Sequence, residues 1–148
     1  MENPLPQDVK QWAMACHLSS LAWIVLPIPY IKLLAPILIW LAQRDRHPFI
    51  DSHGKESVNF QISMAIYWTA AALVGGVWFF LTTAGAVSGV IPNPDEVFVL
   101  VWFFQLMVTF FLLPLLITLL ESVLAIFAAI KASDGQFYRY PFTIRFVK

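Results

Sequence analysis

Two long apolar runs constrain this chain more than any other feature of its sequence. The first extends from Val58 to Ile91 and the second from Val97 to Ile130. About 20 helical residues cross a hydrocarbon core of ~30 Å, so each run predicts a membrane-spanning helix with residues to spare. Main-chain donors and acceptors in oil must be satisfied within the segment, which forces such runs into helices. The sequence therefore predicts an all-α integral membrane protein.

The composition supports this fold class and limits the partners. Charged residues make up 12% of the 148 residues, and the mean hydropathy is +0.74. An average soluble domain carries about 25% charged residues. The length accommodates one membrane domain, 1–148, of three or four helices. The formal net charge of zero gives no indication of a nucleic-acid partner. The expected partners are the lipid bilayer and other membrane proteins or a second copy.

The amino-terminal apolar run contains Pro27 and Pro29, which remove main-chain donors and clash with the preceding turn. Two arrangements remain. One is a hairpin of helices 8–26 and 30–43 with its tip at the prolines, and the other is a single kinked span. A Pro-x-Pro sequence is a turn signal and favours the hairpin. We predict a small bundle of four transmembrane or membrane-embedded helices, with three spans and a kinked first helix as the alternative.

The later helices are predicted over 52–88 and 96–132, with a turn at Asn93-Pro94-Asp95 between them. A loop, 44–51, precedes this pair, and a carboxyl-terminal tail, 133–148, follows it. Gly135 is expected to end the last helix in the left-handed conformation. Asp51 or Ser52 is suited to cap the helix predicted to begin at 52.

Basic residues predict the orientation. Lysines and arginines occur in the 44–55 loop and in the tail, whereas the 88–96 connection has none and contains Asp95 and Glu96. Positive segments stay on the cytoplasmic side of a membrane. We therefore predict a multi-pass protein of the bacterial cytoplasmic (inner) membrane, with the 44–55 loop and the carboxyl terminus in the cytoplasm.

This orientation has two consequences for residues along the helices. Counting about 20 residues inward from the outer ends places Ser52–Ile66 and Glu121–Ile130 at the cytoplasmic interface. Lys32 then lies near the outer tip of the hairpin, against the positive-inside rule.

Polar residues gather on one face of the helix predicted to begin at 52. Glu56, Asn59 and Ser63 recur at spacings of three and four, which places them on one face. In lipid such a face turns towards other helices or water. The predicted polar interaction cluster consists of Asp51, His53, Lys55, Glu56, Asn59, Gln61, Ser63, Glu121, Arg139, Tyr140 and Arg145.

Glu121 is the acidic residue inside the last apolar run, and a charge there requires a partner. The expected partners are Lys55, Arg44 or the Asn59 face. A transport role would instead have Glu121, Asn59 and Gln105 line a path, and four thin helices would need to oligomerise to enclose one.

Catalytic chemistry is disfavoured. His53 and Glu56 form an HxxE pair, which is weaker than an established metal motif such as HExxH. Asp51, Ser52 and His53 are adjacent in sequence, and this seldom permits triad geometry. We predict no catalytic, metal or cofactor site and no enzymatic activity. The aromatic and basic tail, 136–148, is expected to lie at the headgroup level or to dock on the 44–56 loop.

Four stretches resemble a widespread bacterial family of small membrane proteins of unknown function, itself distantly similar to the Tic-type component of the chloroplast inner-envelope import machinery. The stretches are Trp12–Ser19, Pro36–Leu41, Pro48–Gln61 and Tyr138–Arg145. The most specific part is His-Gly-Lys-Glu followed by Asn-Phe-Gln. The resemblance implies three or four transmembrane helices and no established enzymatic activity. The link to the import component is an analogy of fold.

The sequence therefore favours a non-enzymatic accessory or scaffold subunit that associates with other membrane proteins. The alternative is a transport or protein-translocation component, Tic-like, that acts as an oligomer.

Overall fold

A computed structural model describes residues 5–26, 30–88 and 96–148. All regular secondary structure in this described part is helical, as predicted for the fold class. The predicted hairpin tip at Pro27–Pro29 and the predicted turn at Asn93–Asp95 lie outside the described residues.

The first apolar run folds into two helices. α1 comprises Gln7–Leu18 and continues as a 3₁₀ helix over Ser19–Ile24, and α2 comprises Ile31–Gln43. A continuous α-helix over 8–26 was expected. Instead the α geometry ends where the hydroxyls of Ser19 and Ser20 donate to carbonyls one turn back, at 3.1 and 2.8 Å. Serine side chains compete in this way for main-chain groups and tighten the helix end.

A short 3₁₀ turn, Arg44–Arg46, leads into α3, Pro48–Val87. This helix begins four residues earlier than predicted. Pro48 starts it, because the first helical position needs no main-chain donor. His47 caps it in place of Asp51 or Ser52: its Nδ1 accepts from the Phe49 N–H at 3.1 Å, and its carbonyl accepts from the N–H of Ile50 at 3.0 Å.

The last apolar run forms α4, Glu96–Met107, a π-helical stretch, Val108–Leu112, and α5, Leu113–Ser133. The π-helical stretch ends two residues before Pro114, which lacks an N–H and would clash with a carbonyl of the preceding turn in regular α geometry. Gly135 follows α5 with φ of 75°, which confirms the predicted left-handed end.

The chain divides into two compact units. The first unit comprises Met1–Ala65 and Glu121–Lys148, and the second comprises Ile66–Leu120. The divisions fall within one residue of the interface positions that hydrophobic length predicts, Ile66 and Glu121. All nine lysines and arginines of the chain belong to the first unit.

The core of the first unit combines small and aromatic side chains. Small residues from α1 and α5 are fully buried, and their size allows close helix approach. Phe49, Ile50 and Phe60 from α3 fill the remaining space. The buried small residues are Ala13, Cys16, Ala125, Ala128, Ala129 and Ala132.

The second unit keeps large apolar side chains on its surface. Inside it, Phe79 stacks on Trp102 with ring centroids 5.4 Å apart, and the indole of Trp102 donates to the Thr83 hydroxyl at 3.2 Å. Leu73, Val74, Val77, Trp78 and Leu81 line an open apolar groove on α3.

Two described helices are long and apolar enough to cross a membrane, judged by length and composition. They are Pro48–Ala86, with a mean hydropathy of 1.7, and Phe98–Ser133, with 2.4. α1 has 12 residues and α2 has 13, so each α-helix is shorter than the ~20 residues a crossing requires. α4, the π-helical stretch and α5 follow one another without a break and count as one helix. The described residues thus contain the four predicted helices, and two of them have the length of a span.

Candidate functional site

The polar face of α3 holds the carboxyl-terminal tail through the main chain of the tail. Asn59 Oδ1 accepts from the N–H groups of Phe146 and Val147, at 2.9 and 2.8 Å, and Asn59 Nδ2 donates to the Val147 carbonyl at 2.8 Å. The Ser63 hydroxyl accepts from the Ile144 N–H at 2.9 Å. Because these contacts use main-chain groups of the tail, they do not depend on its side chains.

Glu56 completes this face. Its Oε1 accepts from the Tyr140 N–H at 2.9 Å, and the guanidinium of Arg145 lies 3.7 Å from the same oxygen. Glu56, Asn59 and Ser63 therefore hold residues 140–147 of the tail, which turn at Pro141 and Phe142, along two turns of α3. The tail was expected at the headgroup level or on the 44–56 loop, and the structure docks it instead on the 56–63 face of α3.

Tyr140 is the one deeply buried side chain of the tail. Its ring stacks on Phe60 with centroids 4.0 Å apart, and its hydroxyl lies 3.0 Å from His17 Nδ1. The other nitrogen of His17 lies 2.8 Å from His53 Nδ1. A buried hydrogen-bonded chain of Tyr140, His17 and His53 thus connects the tail, α1 and α3.

Burial keeps these three hydrogen-bonded side chains uncharged. It raises the pKa of Tyr140 well above its ordinary value, and the neighbouring Tyr138 and Glu56 add to the effect. It lowers the pKa of His17 to about 3, with a smaller contribution from His53. If the Tyr140 hydroxyl donates to His17 Nδ1, His17 carries its proton on Nε2 and donates it to His53. At neutral pH these three side chains are uncharged, and their hydrogen bonds link the tail, α1 and α3. This group of Tyr140, His17 and His53 is called the interlock.

A second group joins α2 to the start of α3. Lys55 Nζ lies 2.6 Å from Asp51 Oδ2, and the indole N–H of Trp40 donates to Asp51 Oδ1 at 2.9 Å. Gly54 lies directly beneath the Trp40 ring, where a Cβ would overlap its Cδ1 and Cγ atoms. The close approach of α2 to α3 therefore depends on glycine at this position.

Glu121 is buried and pairs with Lys32, whose Nζ lies 2.8 Å from Oε2. The expected partners were Lys55, Arg44 or the Asn59 face. Lys32 also lies over the Trp23 ring, 5.0 Å from its centroid, and Gln61 lines the same small cleft. Lys32, expected near the outer tip, thus lies beside Glu121, which was expected at the cytoplasmic interface, so the two placements do not hold together.

The residues of the predicted cluster are therefore divided among four groups, and Arg139 lies outside all of them. Glu56, Asn59 and Ser63 hold the tail main chain, His53 and Tyr140 belong to the interlock, and Asp51 and Lys55 join α2. Glu121 and Gln61 lie at the cleft of Lys32, Arg145 lies beside Glu56, and Arg139 is exposed.

Sequence reasoning missed His17, Lys32 and Trp40. The signal for His17 was present, since it is an ionisable side chain within an otherwise apolar segment and such a side chain needs a partner. Lys32 carried the same signal, but its partner is 89 positions away in the sequence.

The geometry is that of internal hydrogen bonding and ion pairing. Within the described residues, no group of three or more His, Cys, Asp or Glu side chains is arranged to hold a metal ion.

Four helices in the described residues, two of them apolar and of spanning length, and a polar network that holds the chain to itself define a small all-helical protein. The chain belongs to the magnetosome magnetite crystal formation protein family, MamF_MmsF, whose sequence model matches residues 8–147. No match was found among curated proteins or among solved structures. The comparisons thus confirm membership of a membrane-protein family and give no support to a Tic-type similarity.

Proposed function

We propose that this chain is a non-enzymatic integral membrane protein that acts as an accessory or scaffold subunit and associates with other membrane proteins. The observation that carries the proposal is the difference in polarity between the two units. In the first unit Glu56, Asn59 and Ser63 are engaged in contacts with the tail, while the second unit exposes large apolar side chains. Exposed apolar surface of this kind requires lipid or other helices.

The groove on α3 is the part of that surface suited to a partner helix. Val77 and Trp78 are each 58% exposed at its centre. Phe79, the next residue, packs instead on Trp102 and Phe110 within the unit. Van der Waals packing contributes to helix association in lipid, and an open groove offers a surface against which a second helix can pack.

The family name refers to magnetite crystal formation in magnetosomes. For this chain we propose the membrane-assembly part of such a process, because its second unit exposes large apolar side chains that suit contact with other helices in lipid. The location that we propose remains the bacterial cytoplasmic membrane, with the 44–55 loop and the tail in the cytoplasm. The nine cations of the first unit support this orientation, because positive segments stay on the cytoplasmic side.

A photoreactive residue at Val77 tests the proposal in native membranes, with the same residue at Phe79 as the matched control. We expect protein adducts from position 77 and few from position 79, and co-purification of the same proteins in mild detergent. A monodisperse monomer with no co-purifying protein, together with adducts to lipid alone at position 77, would refute the scaffold role.

The transport alternative stays a prediction. Asn59 and Glu121, two of the three residues expected to line a path, are bonded to the tail and to Lys32. A flux through liposomes that Glu121→Gln and Asn59→Leu both abolish, in variants that still fold, is the result that would favour transport over the scaffold role.

A further inference from the structure

We propose that an open cleft formed by the end of α2, the start of α3 and the end of the tail binds the phosphate of an anionic phospholipid headgroup. This cleft, called the Arg44 cleft, lies wholly within the first unit and has a volume of about 560 Å³. That volume falls within the range of ~300–1,000 Å³ typical of small-ligand pockets. The choice of a lipid as the ligand rests on the membrane location proposed above.

Three cationic side chains from three segments of the chain line the cleft. Arg44 comes from the turn after α2, Lys55 from α3 and Lys148 from the tail. The amino terminus of α3 also borders the cleft at Pro48, and the aligned peptide dipoles of a helix make this end partly positive. Cationic donors that converge on one cavity from separate directions suit the several oxygens of a phosphate.

A continuous set of contacts holds two of these cations in place. Lys55 Nζ lies 2.6 Å from one oxygen of Asp51, and the other oxygen accepts from the Trp40 indole at 2.9 Å. The guanidinium of Arg44 lies over the Trp40 ring, 5.6 Å from its centroid. Because the positions of these side chains are fixed before a ligand arrives, binding loses less side-chain entropy.

The two carboxylates of the cleft leave donors available for an anion. Both oxygens of Asp51 are engaged, and the contact with Asp51 uses one of the three N–H donors of Lys55. The side chain of Asp45 is 91% exposed, and its oxygen lies 3.7 Å from Arg44 Nε, which is beyond hydrogen-bonding distance. Asp45 therefore does not occupy the donors of the Arg44 guanidinium.

The level of the cleft favours a lipid headgroup as the source of the phosphate. Gln61 lies beside Glu121, which hydrophobic length places at the cytoplasmic interface. Lys55 precedes Gln61 by six residues of α3, a rise of about 9 Å away from the hydrocarbon. The headgroup layer adds about 5–7 Å on each side of the hydrocarbon. The long side chains of Lys55 and Arg44 therefore reach the phosphates from the outer edge of that layer, beside the ring of Trp40.

A titration of the whole chain in mild detergent tests the proposal. The added probes are phosphatidylglycerol, phosphatidylcholine and inorganic phosphate, and NMR follows the indole N–H of Trp40. Trp40→Phe assigns this signal among those of the six tryptophans.

Two site variants, Arg44→Gln and Lys148→Gln, each remove one cation from the cleft. Arg46→Gln is the matched control, because it removes the same charge from the same turn. The Arg46 guanidinium also lies over a tryptophan, 5.9 Å from the centroid of the Trp12 ring, and it does not line the cleft.

We expect phosphatidylglycerol to shift the Trp40 signal to saturation. Each site variant should weaken its apparent affinity about fivefold, the effect of one charge-assisted contact at a partly exposed site. Arg46→Gln should change the affinity less than about twofold. Phosphatidylcholine, which has no net charge, and inorganic phosphate should need concentrations at least about fivefold higher for the same shift.

Three results would overturn the proposal. Equal losses in Arg44→Gln and Arg46→Gln would mean that the lipid responds to overall charge and not to the cleft. An inorganic-phosphate response as strong as that of phosphatidylglycerol would make the ligand a soluble phosphate. Absence of any shift with phosphatidylglycerol would mean that the cleft holds no headgroup.

The cross-linking experiment at Val77 distinguishes failure of the lipid site from failure of the proposed function, because Val77 belongs to the second unit. Protein adducts at Val77 without a lipid response at Trp40 overturn the lipid site and leave the scaffold role. Lipid binding in the Arg44 cleft, with adducts to lipid alone at Val77 and no co-purifying protein, removes the scaffold role and leaves the lipid site.

Discussion

Substituting Gly54 by alanine should separate α2 from α3. The added Cβ would overlap Trp40 atoms near the root of its side chain, so the whole indole must move. Overpacking of this kind costs about 1–3 kcal/mol. Displacing the ring also weakens the Trp40–Asp51 hydrogen bond, a further loss of about 1 kcal/mol at this partly exposed site. Alanine returns up to about 1 kcal/mol through its higher helix propensity.

The net expectation for Gly54→Ala is a loss of about 2 kcal/mol in the free energy of unfolding, or a fall in Tm of roughly 4–8 °C for a chain of this size. Thermal unfolding in mild detergent, followed by circular dichroism, measures it. Gly76→Ala is the matched control in the same helix, because a Cβ there meets nothing within 4 Å. It should leave stability unchanged or raise it by up to about 1 kcal/mol.

A rescue experiment isolates the cause. Trp40→Leu in the Gly54→Ala background removes the overlap and should recover part of the lost stability, so the two changes should not be additive. Equal stability of the Gly54→Ala and Gly76→Ala proteins would refute the close packing of α2 on α3.

Three further changes test the other contacts. Asn59→Leu removes three hydrogen bonds to the tail, so amide exchange at Val147 should rise by roughly 30-fold, for a loss of about 2 kcal/mol, while amides of the second unit keep their rates. Lys32→Gln leaves Glu121 buried without its cation and should cost about 1–2 kcal/mol, since Lys32 is partly exposed; adding Glu121→Gln should restore some of that loss, and a double variant less stable than the single one would contradict the pairing. The pKa of His17 falls from 6.5 to about 3 on folding, so the unfolded chain binds the extra proton below pH 6.5. Stability should therefore be full above pH 6.5 and fall towards pH 3, by up to about 1.4 kcal/mol per pH unit. His17→Gln should flatten the profile of Tm against pH.

Hydrophobic length was enough to predict the helical class and the long apolar helices, because oil leaves the main chain no other way to satisfy its donors. The same arithmetic placed Ile66 and Glu121 at the cytoplasmic interface of the membrane, and that placement stays a prediction. Gly135 was predictable because few other residues adopt the left-handed conformation at a helix end.

The pairing of side chains across the fold was not predictable. The spacing of Glu56, Asn59 and Ser63 showed that they share a face, and it gave no indication that an extended tail covers that face. Lys32 meets Glu121 because α2 folds back along α3, a tertiary relation that local periodicity does not contain. Pro48 was taken as the end of one segment, although proline is equally suited to open the next.

The side chains of α3 bind the tail through its main-chain groups, and this has an evolutionary consequence. The side chains of Ile144 and Phe146 are exposed, and these residues bond to α3 through main-chain groups, so mutations at these positions can accumulate while the tail keeps its position on the helix. Tyr140 is the exception, since its ring fills a fixed slot against Phe60. Proteins that diverge from this one can therefore carry different exposed side chains on the tail while the main-chain contacts with α3 are kept. Tyr140 fixes the position of the tail along the helix.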